Sequence, residues 1–364
     1  MEKSRLWRRL DAAITSAPTP MQAAIPRVRR AVLMARYGHE VQARDELTAL
    51  HQFNFHSPQP ELGAWLHFAE GVAHYYSDFG SCDSEKLVRA SSMATSLGLL
   101  ELRALCAAWL CWFGLIRLDV NEVVAQAKAT RELAVPENLA ALGRMASTLA
   151  ISFDWAGLGA EAQAWHAQAR QHVLAEGDDV GHSALMFNNT AMRVAQARRD
   201  SLDGGSLARP EQVLGAESVQ HYDAAKKVTL LPELAGLQRA QLLVAAGRYA
   251  EAHELYSEHH LASPSRHLTR FSASLLADVA WCRVQLGKRE LALQQANAAE
   301  AETAAETAAE ARWVTWGRLA QTYAALGLDE RAAQARAQAA KEREVFVAEQ
   351  REWAETLTSA GLVA

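Results

Sequence analysis

The residues able to do chemistry are scattered along this chain. It holds no His-Glu-x-x-His, no Gly-x-x-x-x-Gly-Lys-Ser/Thr, no Gly-x-Gly-x-x-Gly and no Gly-x-Ser-x-Gly run. The densest histidine cluster is His253-Glu254 with Glu258, His259 and His260. On a regular α-helix His253 and His260 fall two turns apart on one side. That spacing matches no common metal-ligand motif, and a solvated outer helix explains it, so no metal or other cofactor is expected. Asp178-Asp179 follows Gly177 and reads as a loop. The cysteines, Cys82, Cys106, Cys111 and Cys282, form no Cys-x-x-Cys pair and read as reduced core thiols. Phe187-Asn188-Asn189-Thr190-Ala191 is more informative. An amide side chain carries a donor and an acceptor, so it can pair with a peptide unit without reading its sequence. Helix packing or capping is the alternative role for these asparagines.

Aromatic and charged residues give weaker signals. Trp109 with Trp112, and Trp313 with Trp316, lie three apart and share a helix side. Such stripes more often pack a core than line a ligand box. Arg5, Arg8, Arg9, Arg27, Arg29 and Arg30 could attract an acidic partner, but a solvated face accounts for them. Glu300, Glu302, Glu306 and Glu310 read as a soluble acidic surface. The net charge of −5 weighs against a nucleic-acid partner. No apolar run reaches the ~18 residues of a membrane span, and the start lacks the order of a signal peptide. A cytoplasmic protein without a membrane partner is expected.

These groups must be positioned by helices. The chain is rich in Ala, Leu, Glu, Gln and Arg, all strong helix formers, and shows no period-two strand pattern. An all-α fold follows. Breaks fall at Gly38, Gly80, Asp119, Gly157, Asp200, Gly247, Gly287 and Gly327, separated by 38 to 47 residues. A fixed period near 40 in a helical chain signals stacked helical hairpins. The segments beginning at Glu233, Ala273 and Trp313 align without gaps. Each places a small residue eighth (Ala240, Ala280, Ala320), the turn glycine next (Gly247, Gly287, Gly327) and a second alanine beyond (Ala252, Ala292, Ala332). Gly143–Ala169 repeats the scheme. Small residues on both helices let their backbones approach. Ser201–Pro210 interrupts the pattern as a loop. Asp329–Leu357 reads as one long helix with Val345, Phe346, Trp353 and Leu357 as its apolar side, serving as a cap or as a homodimer contact.

Gly247-Arg248-Tyr249 with Ala252, Tyr256 and Pro264 resembles the tetratricopeptide repeat family. So does the series Trp316, Leu319, Ala320, Tyr323, Gly327 and Ala332. The long period is similar to the extended variety found in bacterial sensory and regulatory proteins. No Gly-Gly-Asp-Glu-Phe run and no C-terminal helix-turn-helix accompanies it as an output domain. The resemblance implies a right-handed superhelical solenoid of about eight antiparallel hairpins. Residues 1–26 would cap it, residues 27–340 would form the array with the 201–210 insertion, and residues 341–364 would close it.

In that family, first-helix positions two, five, six and nine line a concave face. Asn188 and Asn189 then stand fifth and sixth. The sixth-position series is Thr148, Asn189, Gln238, Asp278 and Arg318. The ninth gives Ile151, Met192, Gln241, Trp281 and Gln321. Polar ladders with apolar pockets suit a bound peptide. Leu234 and Gln238 stand where a clamp for a terminal carboxylate would need basic residues. The resemblance thus implies a non-catalytic scaffold that holds a protein or peptide segment in its groove. One rival is a ligand-sensing regulatory subunit acting on a separate output protein, with a compact pocket near Asn188 and Trp281 sealed by the 201–210 loop. Another is an all-helical enzyme with titratable groups converging in a deep cleft. A third is a structural homo-oligomer built through the C-terminal helix.

Overall fold

Most positions carry residues that lose little side-chain entropy in a helix, and the backbone satisfies its hydrogen bonds within helices. The computed structural model describes residues 4–78, 83–202, 210–229, 232–261 and 271–364. Among them are seventeen α-helices and no strand. The first nine are α1 (Arg5–Ser16), α2 (Pro20–Arg36), α3 (Glu40–His56), α4 (Pro60–Ser77), α5 (Glu85–Ser96), α6 (Leu100–Ile116), α7 (Val120–Leu133), α8 (Leu139–Trp155) and α9 (Gly159–Glu176). The rest are α10 (Asp179–Leu202), α11 (Pro210–Lys226), α12 (Pro232–Ala245), α13 (Tyr249–Tyr256), α14 (Ser272–Gln285), α15 (Arg289–Glu302), α16 (Ala309–Ala325) and α17 (Asp329–Ser359).

The turns follow from local chemistry. After α12, Arg248 N–H donates to Leu243 O at 2.8 Å and Gly247 N–H to Val244 O at 3.1 Å. This pair of bonds needs a left-handed residue just past the helix end. Gly247 supplies it at φ +75°, and Gly287 does the same at +74°. Gly38, Gly157 and Gly327 close α2, α8 and α16 with the same bonds. At the Asp119 break, Leu118 takes the left-handed position at φ 57°, and Asp119 caps α7 by accepting from Glu122 N–H at 3.0 Å.

Some expectations change. Asp200 is no turn: it lies inside α10, where its carboxylate accepts from Gln196 at 2.6 Å, and no helix breaker precedes Gly204. Asp178 does more than form a loop, because it caps α10 by accepting from Gly181 N–H at 2.9 Å. The histidine cluster does not follow one regular α-helix, since Ser257–Leu261 is a π-helical turn. On α17, Phe346, Trp353 and Leu357 are buried, but Val345 is 39% exposed. Gly80, Cys82, Pro264 and residues 203–209 of the expected loop lie outside the described residues.

The chain divides into two compact units. The first comprises Met1–Met186, Asp223–Leu230 and Trp353–Ala364. In it, successive helices from α1 to α9 pack on one another, and α2 with α4 and α6 with α8 pack as alternate pairs. Glycine permits close approach at Gly114, where a β-carbon would stand 3.1 Å from the Val123 nitrogen of α7. Trp165, Phe113, Leu62, Leu102 and Leu149 are fully buried there.

The second unit comprises Phe187–Tyr222 and Leu231–Glu352. One core joins Val194, Val213, Leu242, Tyr256 and Val279. Another joins Ala280, Ala296, Leu319, Tyr323 and Ala332. The alanine notches predicted from the repeats, Ala240, Ala252, Ala280, Ala292 and Ala332, are fully buried.

Candidate functional site

In the first unit, one face from each of five alternate helices lines a cleft. On α2 the face is Arg29, Val32, Leu33 and Arg36, and on α8 it is Ala140, Gly143, Arg144 and Ser147. Both sets follow the i, i+3, i+4, i+7 spacing of a helical stripe. Helix α4 adds Trp65 and Phe68, α6 adds Leu105 and Trp109, and α10 adds Gly181, Ala184 and Leu185. Leu6 and Leu10 of α1, Val173 and Glu176 of α9, and the α10 cap Asp178 also line it. The cleft holds a cavity of about 100 Å³ and is open to solvent at its mouth.

Helix α1 is fixed in place by several bonds. Leu6 N–H donates to Gly177 O at 3.1 Å, Arg30 pairs with Asp11 at 3.0 Å, and Arg9 pairs with Glu176. Trp7 meets Tyr37 edge-on at 5.4 Å, in a cluster that includes Leu33 and Val180. Tyr37 O in turn accepts from Thr229 N–H at 3.0 Å and from its hydroxyl at 2.9 Å.

Three arginines line the cleft, and they differ in how they are held. Arg36 pairs with Asp178 at 2.7 Å, with little of either side chain exposed. Burial works to lower the Arg36 pKa, but Asp178 and Tyr76 outweigh it, and the net direction is up. Arg29 pairs with Glu101 at 2.9 Å and lies 5.6 Å from the Trp65 ring centre. Arg144 stacks 4.1 Å over Trp109 and donates to the Tyr76 hydroxyl at 3.4 Å. Among the described residues no carboxylate pairs with Arg144. Burial pushes the Glu176 carboxyl above its ordinary range, against the pull of Arg9. A cation over an aromatic face, beside an apolar wall, can hold an anionic group on an apolar body.

The residues expected to line a groove take several positions. Thr148 is fully buried and donates to Arg144 O at 3.0 Å in its own helix. In the second unit Asn188, Asn189, Met192 and Gln241 are half-buried. Gln238 is buried and donates to Phe187 O at 3.5 Å.

Asp278, Trp281, Arg318 and Gln321 come together in the second unit. Asp278 is fully buried and accepts from Arg318 Nε at 3.1 Å, from Tyr256 OH at 3.1 Å and from Arg198 at 3.0 Å. Arg318 also donates to Gln321 Oε1 at 2.7 Å and to Ser201 Oγ at 3.0 Å. Its guanidinium lies 6.0 Å from the half-buried Trp281 ring. Burial raises the Tyr256 pKa well above the ordinary phenol range. Nearby, Glu306 accepts from the Thr315 hydroxyl at 3.2 Å, and its pKa is raised, first by burial. Asp278 and Arg318 therefore bind one another inside the unit.

Sequence reasoning missed Arg36, Trp65, Tyr76 and Arg144, and it took Arg29 and Trp109 as surface charge and packing. A signal was present. Counted from Gly143, positions two and five are Arg144 and Ser147, and both line the cleft. Among the described residues no three His, Cys, Asp or Glu converge as a metal site, and no helix is long and apolar enough to cross a membrane. The chain matches no family model and no curated protein.

Proposed function

We propose that this chain is a non-catalytic binding protein whose cleft in the first unit reversibly holds a segment of another molecule. The observation that carries the reading is the common stripe. Five alternate helices each turn a face into one cleft, and together these faces carry apolar, aromatic and arginine side chains. Pockets of that kind, mostly apolar with a few placed polar groups, are the usual form of a ligand site.

The same reading takes the architecture as a solenoid of helical hairpins of the tetratricopeptide kind. Recurrent left-handed turns near 40-residue spacing and buried alanine notches on paired helices support it. A second reading, a ligand-sensing regulatory subunit, gains from the compact size of the cleft.

The test is selection from a random peptide library on the full chain. Ala140→Trp would fill the cleft mouth from an exposed position. Peptides that bind the wild type and are lost on Ala140→Trp support the reading. Peptides lost instead on the Asn188→Ala/Asn189→Ala double variant would move the site to the second unit. Failure to enrich any peptide counts against peptide binding altogether.

A further inference from the structure

Building on that reading, the charge inventory of the cleft narrows its ligand. Arg36 is held by Asp178 and Arg29 by Glu101. Among the described residues Arg144 alone of the three has no carboxylate, and it is pre-oriented by Trp109 beneath it and by the Tyr76 hydroxyl. An aromatic platform fixes the guanidinium plane and leaves its N–H edge free for a planar acceptor. One uncompensated guanidinium neutralises one negative charge. Among the described residues the cleft offers no second free guanidinium for a second charge, because Asp178 takes up Arg36 and Glu101 takes up Arg29. A phosphate dianion fits poorly, whereas a carboxylate matches in charge and in planarity. The same cleft is lined by apolar side chains, Phe68, Leu105 and Leu185 among them.

We infer that the cleft binds a monocarboxylate on an apolar body, with the carboxylate on Arg144 beside Tyr76 and the body against the apolar wall. Two sources share this chemistry: the C-terminal end of an apolar peptide, and a free aliphatic or aryl acid.

The experiment is calorimetric titration of the full chain with matched acids and amides. N-acetylated tripeptides ending in Leu, Phe or Trp would be compared with their carboxamides, and decanoate and 3-phenylpropionate with theirs. At least one acid should bind about tenfold or more tightly than its amide, the worth of a charge-assisted hydrogen bond. Arg144→Gln should erase that preference, bringing acid and amide to equal affinity, and Ala140→Trp should abolish binding of both. If Arg144→Gln fails to fold by thermal melt, the wild-type preference and its weakening by salt still decide the point. Preference confined to tripeptide acids assigns the peptide source, and preference confined to the small acids assigns the other. Equal binding of acids and amides would overturn the carboxylate assignment and leave the cleft as a binding site. Acid binding that survives Ala140→Trp would overturn both. No binding by any probe would overturn the carboxylate assignment, and the peptide selection would then judge the cleft alone.

Discussion

Asp178 carries two roles at once. It caps α10 through Gly181 N–H and it neutralises Arg36 across the first unit. Removing one partner of a buried pair strands the other charge, and the loss of the cap adds to it. We expect Asp178→Ala to cost about 3–5 kcal/mol in chemical denaturation. Asp179→Ala, which breaks only a half-exposed pair with Lys226, should stay within about 0.5 kcal/mol. Equal effects would refute the distinction. Glu306 gives a pH-dependent prediction. Its folded pKa is raised by burial, so the stability it favours is present at low pH and is lost as pH rises through that value. Glu306→Gln carries no such loss. Its melting temperature should therefore exceed the wild type's near pH 8, by about 2–4 °C for each kcal/mol, and the gap should close on acidification. A gap that ignores pH would sink the assignment. Neither residue announced itself in the sequence. Asp178 looked like a loop because its partner lies 142 positions away, and Glu306 looked like surface because acidic residues surround it.

Helix boundaries were more legible, because a turn is a local event. A left-handed residue past a helix end is strongly biased to glycine, so Gly38, Gly157, Gly247, Gly287 and Gly327 could be read directly. Leu118 could not be, since it takes that position without the side-chain signature. Gly287 isolates the backbone cost, because nothing lies within 4 Å of where a β-carbon would stand. Gly287→Ala should therefore lose about 1–2 kcal/mol through strain alone. Gly287→Asn should lose less, as asparagine tolerates this conformation better. Urea titrations at fixed pH would measure both, and a harmless alanine would show that the turn is not held left-handed. Helix α1 was the least legible element. Its amphipathic pattern is plain, but that Leu6 and Leu10 wall a cleft depends on α2, α9 and α10 being folded around it.

A cleft lined by five alternate helices is likewise a property of the whole first unit, and no window of sequence contains it. That unit should be testable apart from the second through its thiols. Cys106, Cys111 and Cys282 are buried and unpaired. Burial pushes the Cys106 and Cys282 thiols up to about 12 and raises Cys111 as well, so at pH 8 each is protonated and shielded. A thiol reagent can reach them only when the surrounding core opens, and the labelling rate then follows the open fraction. Cys106 and Cys111 report the first unit and Cys282 the second. In wild-type protein all three should resist labelling at pH 8 while a free peptide thiol reacts fully, and all should react in denaturant. If Asp178→Ala weakens the first unit by about 3 kcal/mol, Cys106 and Cys111 should label on the order of 100-fold faster. Asp278→Ala leaves Arg198 and Arg318 buried without their shared carboxylate, so it should accelerate Cys282 comparably. Mass spectrometry of digested samples would separate the sites. Rapid labelling of native Cys106 or Cys282 would show that these cores are open to solvent, and the buried networks argued from them would have to be abandoned.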